Sequence, residues 1–391
     1  MTVTTTASGP VEGAIPAPLT GPGFGSYRAD EVAWLLTDLS GVDLEGDIAT
    51  REAAVQSGRA HYAESLPVEY QPDAAYRELF ETVLAGTADR LARAVGVVTE
   101  LVLAERSAAG PPVLASLARA GTPVGILMRR WAQRRHGVDL PHYAVSIVRD
   151  RGIDRVALAH LAAHHDPASV VFVDGWTGKG AITRELTAAL REVARDGGPV
   201  FSDDLAVLAD PGHCARTFGT RDDFLIASAC LNSTVSGLVS RTVLNPRLLR
   251  PDQFHGAKYY RELADQDVSN RLLDRVAERF DAVAPAVVTD LESVRHGDRS
   301  MTFAGWAAVE RIADEYGIGS VNFVKPGVGE TTRVLLRRVP ERILVRDPDD
   351  PDLAHLRLLA ADRGVPLEVV PDLPYSSVGL VRQLPTVSGE G

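Results

Sequence analysis

The sequence predicts an α/β fold built on a parallel sheet, and three stretches carry that expectation. Residues 170–174, Val-Val-Phe-Val-Asp, are an apolar, β-branched run ending on an acid. A turn of mostly small residues, Gly175-Trp-Thr-Gly-Lys-Gly180, follows it, and then a helical pattern over 181–190. Residues 113–125 repeat the order, with an apolar run, a small-residue loop and a helix expected from about Pro123 to His136. Between them, Tyr143-Ala-Val-Ser-Ile-Val148 reads as a further strand. The two loops lie about 55 residues apart, room for about two βα units.

The first of these loops has the composition of a phosphate cradle. Its glycines let backbone N–H groups converge, Thr177 adds a hydroxyl donor, and the following helix adds the positive end of its dipole. Asp174 at the strand end is placed to hold sugar hydroxyls or, through water, a metal ion. An ATP-type P-loop is excluded, because the required Gly and Ser/Thr positions hold Val173 and Gly180. The dinucleotide-binding glycine pattern is absent as well.

Composition suits a soluble, cytoplasmic, multi-domain protein. At 391 residues, with 45% apolar and 24% charged residues, the chain can bury a large core. It has no apolar stretch of membrane-spanning length, and Met1-Thr-Val-Thr-Thr-Thr6 lacks the order of a signal peptide. Two cysteines, Cys214 and Cys230, argue against a disulfide framework or zinc cluster. A net charge of −11 argues against broad capture of nucleic acid, so any RNA contact must come from a local patch.

Residues 1–24, rich in Gly, Pro and Thr, are expected to be disordered. Residues 25–105 look mainly helical, with helical spacing over 75–84 and 88–95. Residues 111–245 alternate strand and helix signals, and 246–318 carry helices such as 270–280. Residues 319–385 read as a separate small α/β unit, with a strand, a Gly-rich turn and a helix over 321–338, a strand at 343–346, a helix at 355–362 and a strand at 365–370. The expected organisation is thus a tail (1–24), a main domain with helical additions (25–318) and a C-terminal domain (319–385), with no internal repeat.

Longer motifs make the likeness closer than a fold. They include Gly25-Ser-Tyr27, Gln56-Ser-Gly58, His61-Tyr62, 66–70, 116–123, Pro141-His-Tyr143, 172–181, 230–237, Ser240-Arg-Thr242, 254–258 and 326–333. On these the chain resembles the phosphoribosyltransferase–Pelota proteins of tellurite-resistance and stress operons, a family also described as StiP-type cysteine proteases. The resemblance covers nearly all of the chain beyond its first twenty residues.

It implies a type I phosphoribosyltransferase-like core and an Mg²⁺-dependent transfer of ribose-phosphate. The donor or product would be 5-phosphoribosyl-1-pyrophosphate or a nucleotide, with a base-like acceptor. Asp174 and Arg119 would be the catalytic pair, with Asp174 also holding the magnesium indirectly. Thr177, Gly178, Lys179 and Gly180 would cradle the 5′-phosphate, and Ser116, Arg119 and Gly121 would face the pyrophosphate. The loop at 149–154 would be a mobile cover. One departure stands out: the second acid usual in such loops is Gly175 here. The last unit is similar to Pelota-type RNA-binding domains, which implies a structured RNA partner met by Lys325, Gly327, Glu330, Thr331, Arg333 and Arg337, with Arg338 nearby. The resemblance also allows a homodimer.

Two further readings stay open. One is a non-catalytic regulator responsive to nucleotide or RNA, favoured by the missing second acid. The other is a cysteine hydrolase using Cys230 with His255 or His61 as base, although a buried structural cysteine is the commoner role. Asn232, Ser233, Thr234, Ser236 and Arg241 read as polar lining for phosphate or base. His142, His160, His164 and His165 show no metal-site arrangement.

Overall fold

A computed structural model describes residues 15–46, 64–69, 71, 74–338 and 340–381. Six strands form the central sheet: β1 (Ala33–Leu35), β2 (Val113–Leu117), β3 (His142–Val145), β4 (Val170–Trp176), β5 (Leu205–Ala209) and β6 (Thr217–Thr220). They pair in the order β1-β3-β2-β4-β5-β6, all parallel. A parallel sheet is covered on both faces, which is why its strands read as nearly unbroken apolar runs. Alternate residues point to opposite sides: Leu114, Val171, Val173 and Ala206 join one apolar cluster, and Val113, Ala115, Phe172 and Val207 another.

The first cluster is closed by α1 (Ala74–Arg106), α2 (Gly121–His136), α5 (Ser269–Ala277) and α6 (Phe280–His296). The second is closed by α3 (Arg155–His164) and α4 (Ala181–Arg195). From β2 the chain runs through α2 to β3 on one side, and from β4 through α4 to β5 on the other. The strand order therefore reverses between β2 and β4. Their carboxyl ends leave a crevice there, where open α/β sheets place ligands.

The C-terminal unit is a second, smaller layer. Strands β7 (Val324–Pro326), β8 (Pro340–Val345), β9 (Leu367–Val369) and β10 (Ser377–Val381) pair in the order β7-β10-β8-β9. One face packs on α7 (Ala304–Glu315), through Val309 and Ile312 against Val324, Leu344 and Tyr375. Helices α8 (Val328–Arg337) and α9 (Ala354–Asp362) put Val328, Leu335, Leu356 and Ala360 into the same cluster as α1 and residues 224–239 of the main layer.

The parallel α/β layer and the small C-terminal α/β unit are as expected. Several local expectations are corrected. Residues 25–46 are not helical: Ala33–Leu35 is the sheet's edge strand, while the helical signals at 75–84 and 88–95 merge into α1, unbroken by Gly86. The expected disorder does not extend to residue 24, because the Leu19 amide donates to the Trp34 carbonyl and Phe24 is 1% exposed; residues 1–14 lie outside the described residues. The strand expected over 143–148 ends at Val145, and Ile147–Val148 pairs instead with Gly152–Ile153 in a hairpin. Two backbone amides of that hairpin, Asp150 and Gly152, donate to the Glu185 carboxylate on α4. Residues 211–245 hold β6 and two short 3₁₀ helices, Ala227–Cys230 and Ser233–Val235, instead of further α-helices. The motifs at 56–58 and 61–62 lie outside the described residues. Among the described residues, no helix is long and apolar enough to cross a membrane.

Candidate functional site

The crevice between β2 and β4 opens into a cleft of about 550 Å³. The end of β2 contributes Leu117, the loop after it Ala118, Arg119 and Ala120, the hairpin Arg149, and β4 Asp174. The opposite wall comes from the C-terminal unit: Lys325 on β7, Glu330, Arg333 and Val334 on α8, and Arg338 just beyond. Asn232, Arg241 and Thr242 complete it. Six cations, Arg119, Arg149, Arg241, Lys325, Arg333 and Arg338, thus face two carboxylates, Asp174 and Glu330, in a chain whose net charge is −11. Cations outnumber carboxylates in the lining six to two, and low-dielectric walls strengthen the field of such an excess.

The electrostatics of the cleft are set by burial. Asp174 is pushed up to about 7 by desolvation, opposed by the Gly175 amide, which donates to it at 2.8 Å. Burial lowers Arg119, while the Glu69 carboxylate 3.6 Å away opposes the shift. Arg119 also donates to the Val239 carbonyl at 3.2 Å. Burial lowers Lys325, partly offset by Glu330. For Glu330 burial works upward, but Arg333, 2.9 Å away, and Lys325 overcome it and hold the carboxyl low. Arg333 is further fixed by donating to the Ala229 carbonyl at 3.1 Å.

Of the residues singled out from the sequence, the fold brings Asp174, Arg119, Asn232, Arg241, Lys325, Glu330, Arg333 and Arg338 to this one cleft. The others do different work. Ser116 is fully buried, its hydroxyl 2.7 Å from His142 Nε2. Gly121 lets α2 start over β4, since a Cβ there would lie 2.2 Å from the Val173 carbonyl oxygen. Thr177 is buried and its amide donates to the Ala209 carbonyl. The Gly178 carbonyl accepts from the Tyr375 hydroxyl, Lys179 Nζ donates to the Val321 carbonyl at 3.1 Å, and Gly180 packs on Phe303 and Cys214. Burial first, then Lys325 and Arg149, lowers the Lys179 ammonium to about 8.

The expected phosphate cradle is therefore the seat of the C-terminal unit. In that unit Gly327 opens α8 with φ +87°, Thr331 is fully buried, and the side chain of Arg337 lies outside the described residues. Arg149, in the loop expected to cover the site, lines the cleft as well; a lone arginine directly after an apolar strand run is its sequence signal. Ser233, Thr234 and Ser236, read as polar lining, are buried.

Among the described residues, Cys230 and His255, one expected pairing, belong to opposite faces of the sheet. Cys230 is fully buried in the cluster on the α1 face of the sheet, whereas Phe254, next to His255, packs in the cluster on the other face. His255 Nδ1 lies 2.8 Å from the Ser146 hydroxyl, and burial lowers its pKa. His61 lies outside the described residues. Cys214 donates to the Gly212 carbonyl at 3.2 Å, and burial, with Asp210 close by, pushes its thiol up to about 12. Among the described residues, no group of three or more His, Cys, Asp or Glu could hold a metal ion.

Comparisons with known proteins bear on both units. The model of the family described as "Tellurite-like stress resistance cysteine protease StiP" matches residues 25–277, and that of the PELOTA RNA binding domain matches 303–383. "Cysteine protease StiP" of Acinetobacter baylyi is 37% identical over 375 residues, covering 92% of this chain and 94% of that protein. A solved structure of LysN, an α-aminoadipate aminotransferase of Thermus thermophilus, covers 89% of this chain and 86% of its own at 14% identity. Its TM-score of 0.19 is too low to carry an argument. These relatives overturn the expected activity: family and relative alike are named cysteine proteases, not phosphoribosyltransferases, so the Mg²⁺-dependent transfer from 5-phosphoribosyl-1-pyrophosphate is withdrawn. The StiP and Pelota resemblances stand, and the chain belongs to the family of the tellurite-like stress resistance cysteine protease StiP, with a PELOTA RNA binding domain at its C-terminal end.

Proposed function

We propose that the protein works as a nucleotide- or RNA-responsive component of a stress response, taking phosphate groups into the cleft between its main layer and its PELOTA unit. One observation carries the reading: both units contribute three of the cations around the crevice where the strand order reverses, once Arg241 is counted with the main layer. Leu117, Ile147, Val148, Ile182 and Val334 give the same cleft an apolar lining against which a base can rest. A volume of about 550 Å³ is on the scale of small-ligand sites and suits a nucleotide or a single-stranded end, not a duplex. The test is fluorescence anisotropy with labelled oligouridylate and with a labelled mononucleotide over a range of salt. Binding that weakens with salt supports the reading, and no binding of either at 50 mM salt removes it.

The names of the family and the relative favour a second reading, a cysteine peptidase. A thiolate would attack a peptide carbonyl, the amine would leave with a proton, and water would release the acid from the thioester. Cys214 and Cys230 are the two thiols of the chain, and both are buried. Serine substitution of each, assayed on a denatured protein substrate, decides it: proteolysis that survives in the double variant would exclude a cysteine mechanism.

A further inference from the structure

We infer that Asp223, a residue outside the cleft, positions the cleft's C-terminal wall. Asp223 follows β6 and is 6% exposed. Its two carboxylate oxygens are divided between two elements of the C-terminal unit. Oδ1 accepts from the amide of Val328, the first residue of α8, at 3.0 Å. Oδ2 accepts from the amide of Ser376, just before β10, at 2.8 Å, and the Ser376 hydroxyl returns a bond to the Asp223 carbonyl at 3.0 Å.

The amide of Gly327 donates to the Ser377 carbonyl at 2.8 Å, so the starts of α8 and β10 are held as one piece. Every cleft residue of this wall hangs from that piece. Lys325 lies on β7, paired with β10, Glu330 and Arg333 lie on the first two turns of α8, and Arg338 ends it. One charged acceptor from the main layer thus fixes the separation between three cations of one unit and three of the other. A carboxylate suits this place because both of its oxygens accept, and hydrogen bonds to an ionised acceptor are the stronger kind. An amide side chain would turn an N–H₂ donor toward one of the two backbone donors.

The inference rests on the cleft being the phosphate site, and two measurements keep the two claims apart. The first needs no ligand: hydrogen exchange at the amides of Val328 and Ser376 in the full chain. Asp223→Ala is expected to speed both by about 100-fold while amides of β2 and β4 stay protected; unchanged exchange overturns the inference. The second is the salt dependence of oligouridylate binding. Neutralising three fewer phosphates lowers the log–log slope by roughly 2 for a single strand, so Asp223→Ala is expected to flatten the slope and weaken binding at least tenfold in 0.1 M salt.

Asp222→Ala, at an exposed neighbour paired with Arg90, is expected to change neither. A purely structural role would reduce the folded fraction but leave the slope of the folded molecules unaltered, and that result overturns the inference. If Asp223→Ala does not fold, Asp223→Asn replaces it, with intermediate effects expected and wild-type behaviour overturning. Wild-type protein that binds no RNA or nucleotide refutes the cleft reading itself, while hydrogen exchange still decides what Asp223 holds.

Discussion

The hydroxyl of Tyr375 donates to the carbonyl oxygen of Gly178 at 2.9 Å, tying the end of the chain to the loop after β4. Gly305, at the start of α7, lies against this bond: a Cβ there would come within 2.1 Å of the Gly178 oxygen and 2.2 Å of the Tyr375 oxygen. Gly305→Ala is therefore expected to cost about 2–3 kcal/mol by overpacking. Tyr375→Phe removes only the bond and leaves the buried carbonyl to the weak Cys214 thiol donor, for about 1 kcal/mol. Urea denaturation of the two variants checks the order, and an alanine at 305 milder than a phenylalanine at 375 would contradict it.

Asp174 makes stability depend on pH. Its carboxyl titrates near 7 in the fold, against about 3.9 in an unfolded chain. Between those values the native state binds the extra proton, so the group's contribution is full at low pH and is lost as pH rises to about 7. Asp174→Asn removes that loss. The variant is expected to match wild type at pH 4 and exceed it by about 1–2 kcal/mol at pH 8, less than full burial would give because the cleft keeps the carboxyl in touch with solvent. A difference that is constant across pH would show that Asp174 is not the titrating group.

The thiol of Cys214 is expected to resist alkylation. With its pKa pushed up to about 12 and its side chain sealed behind the Gly178–Gly180 turn, little thiolate is present at neutral pH. Iodoacetamide labelling followed by mass spectrometry should be at least about 100-fold slower in the native protein than in denaturant. Rapid native labelling would point to a peptidase-type nucleophile instead.

Arg338 is an exposed member of the cleft wall, with its backbone amide on the Val334 carbonyl. Arg338→Ala should lower the salt slope of oligouridylate binding by about 0.7, the value for one phosphate contact on a single strand. Arg28→Ala, at an exposed arginine outside the cleft, should not alter it.

What could be read from the sequence follows from range of interaction. Strands β2 and β4 and the helices after them are legible because burial on both faces writes an unbroken apolar run, and a loop of small residues marks its end. Asp174 and Arg119, which line the cleft, each sit at such an end. The packing of the C-terminal unit on the Thr177–Gly180 turn is not legible, for the opposite reason. Small residues that let a ligand approach also let another part of the chain approach, and nothing local to Thr177–Gly180 tells of Tyr375, 197 residues away from Gly178. Ala33–Leu35 and Ser377–Val381 escaped notice as short strands whose partners lie far off in the chain. Asp223 carries no signature at all, since its role is defined by amides 105 and 153 residues further on.

The apolar cluster that runs from α1 into α8 and α9 has a consequence for how the chain can be cut. The two family models meet between residues 277 and 303, but that seam is not a line of weakness. A fragment ending there would bare Phe224, Leu231 and neighbouring residues of α1 to water, and the severed remainder would expose Leu335 and Leu356. Exposed apolar patches of that kind favour aggregation. Calorimetry of the whole protein should show one heat-absorption peak rather than two. Inheritance in this chain is modular, while cohesion is not.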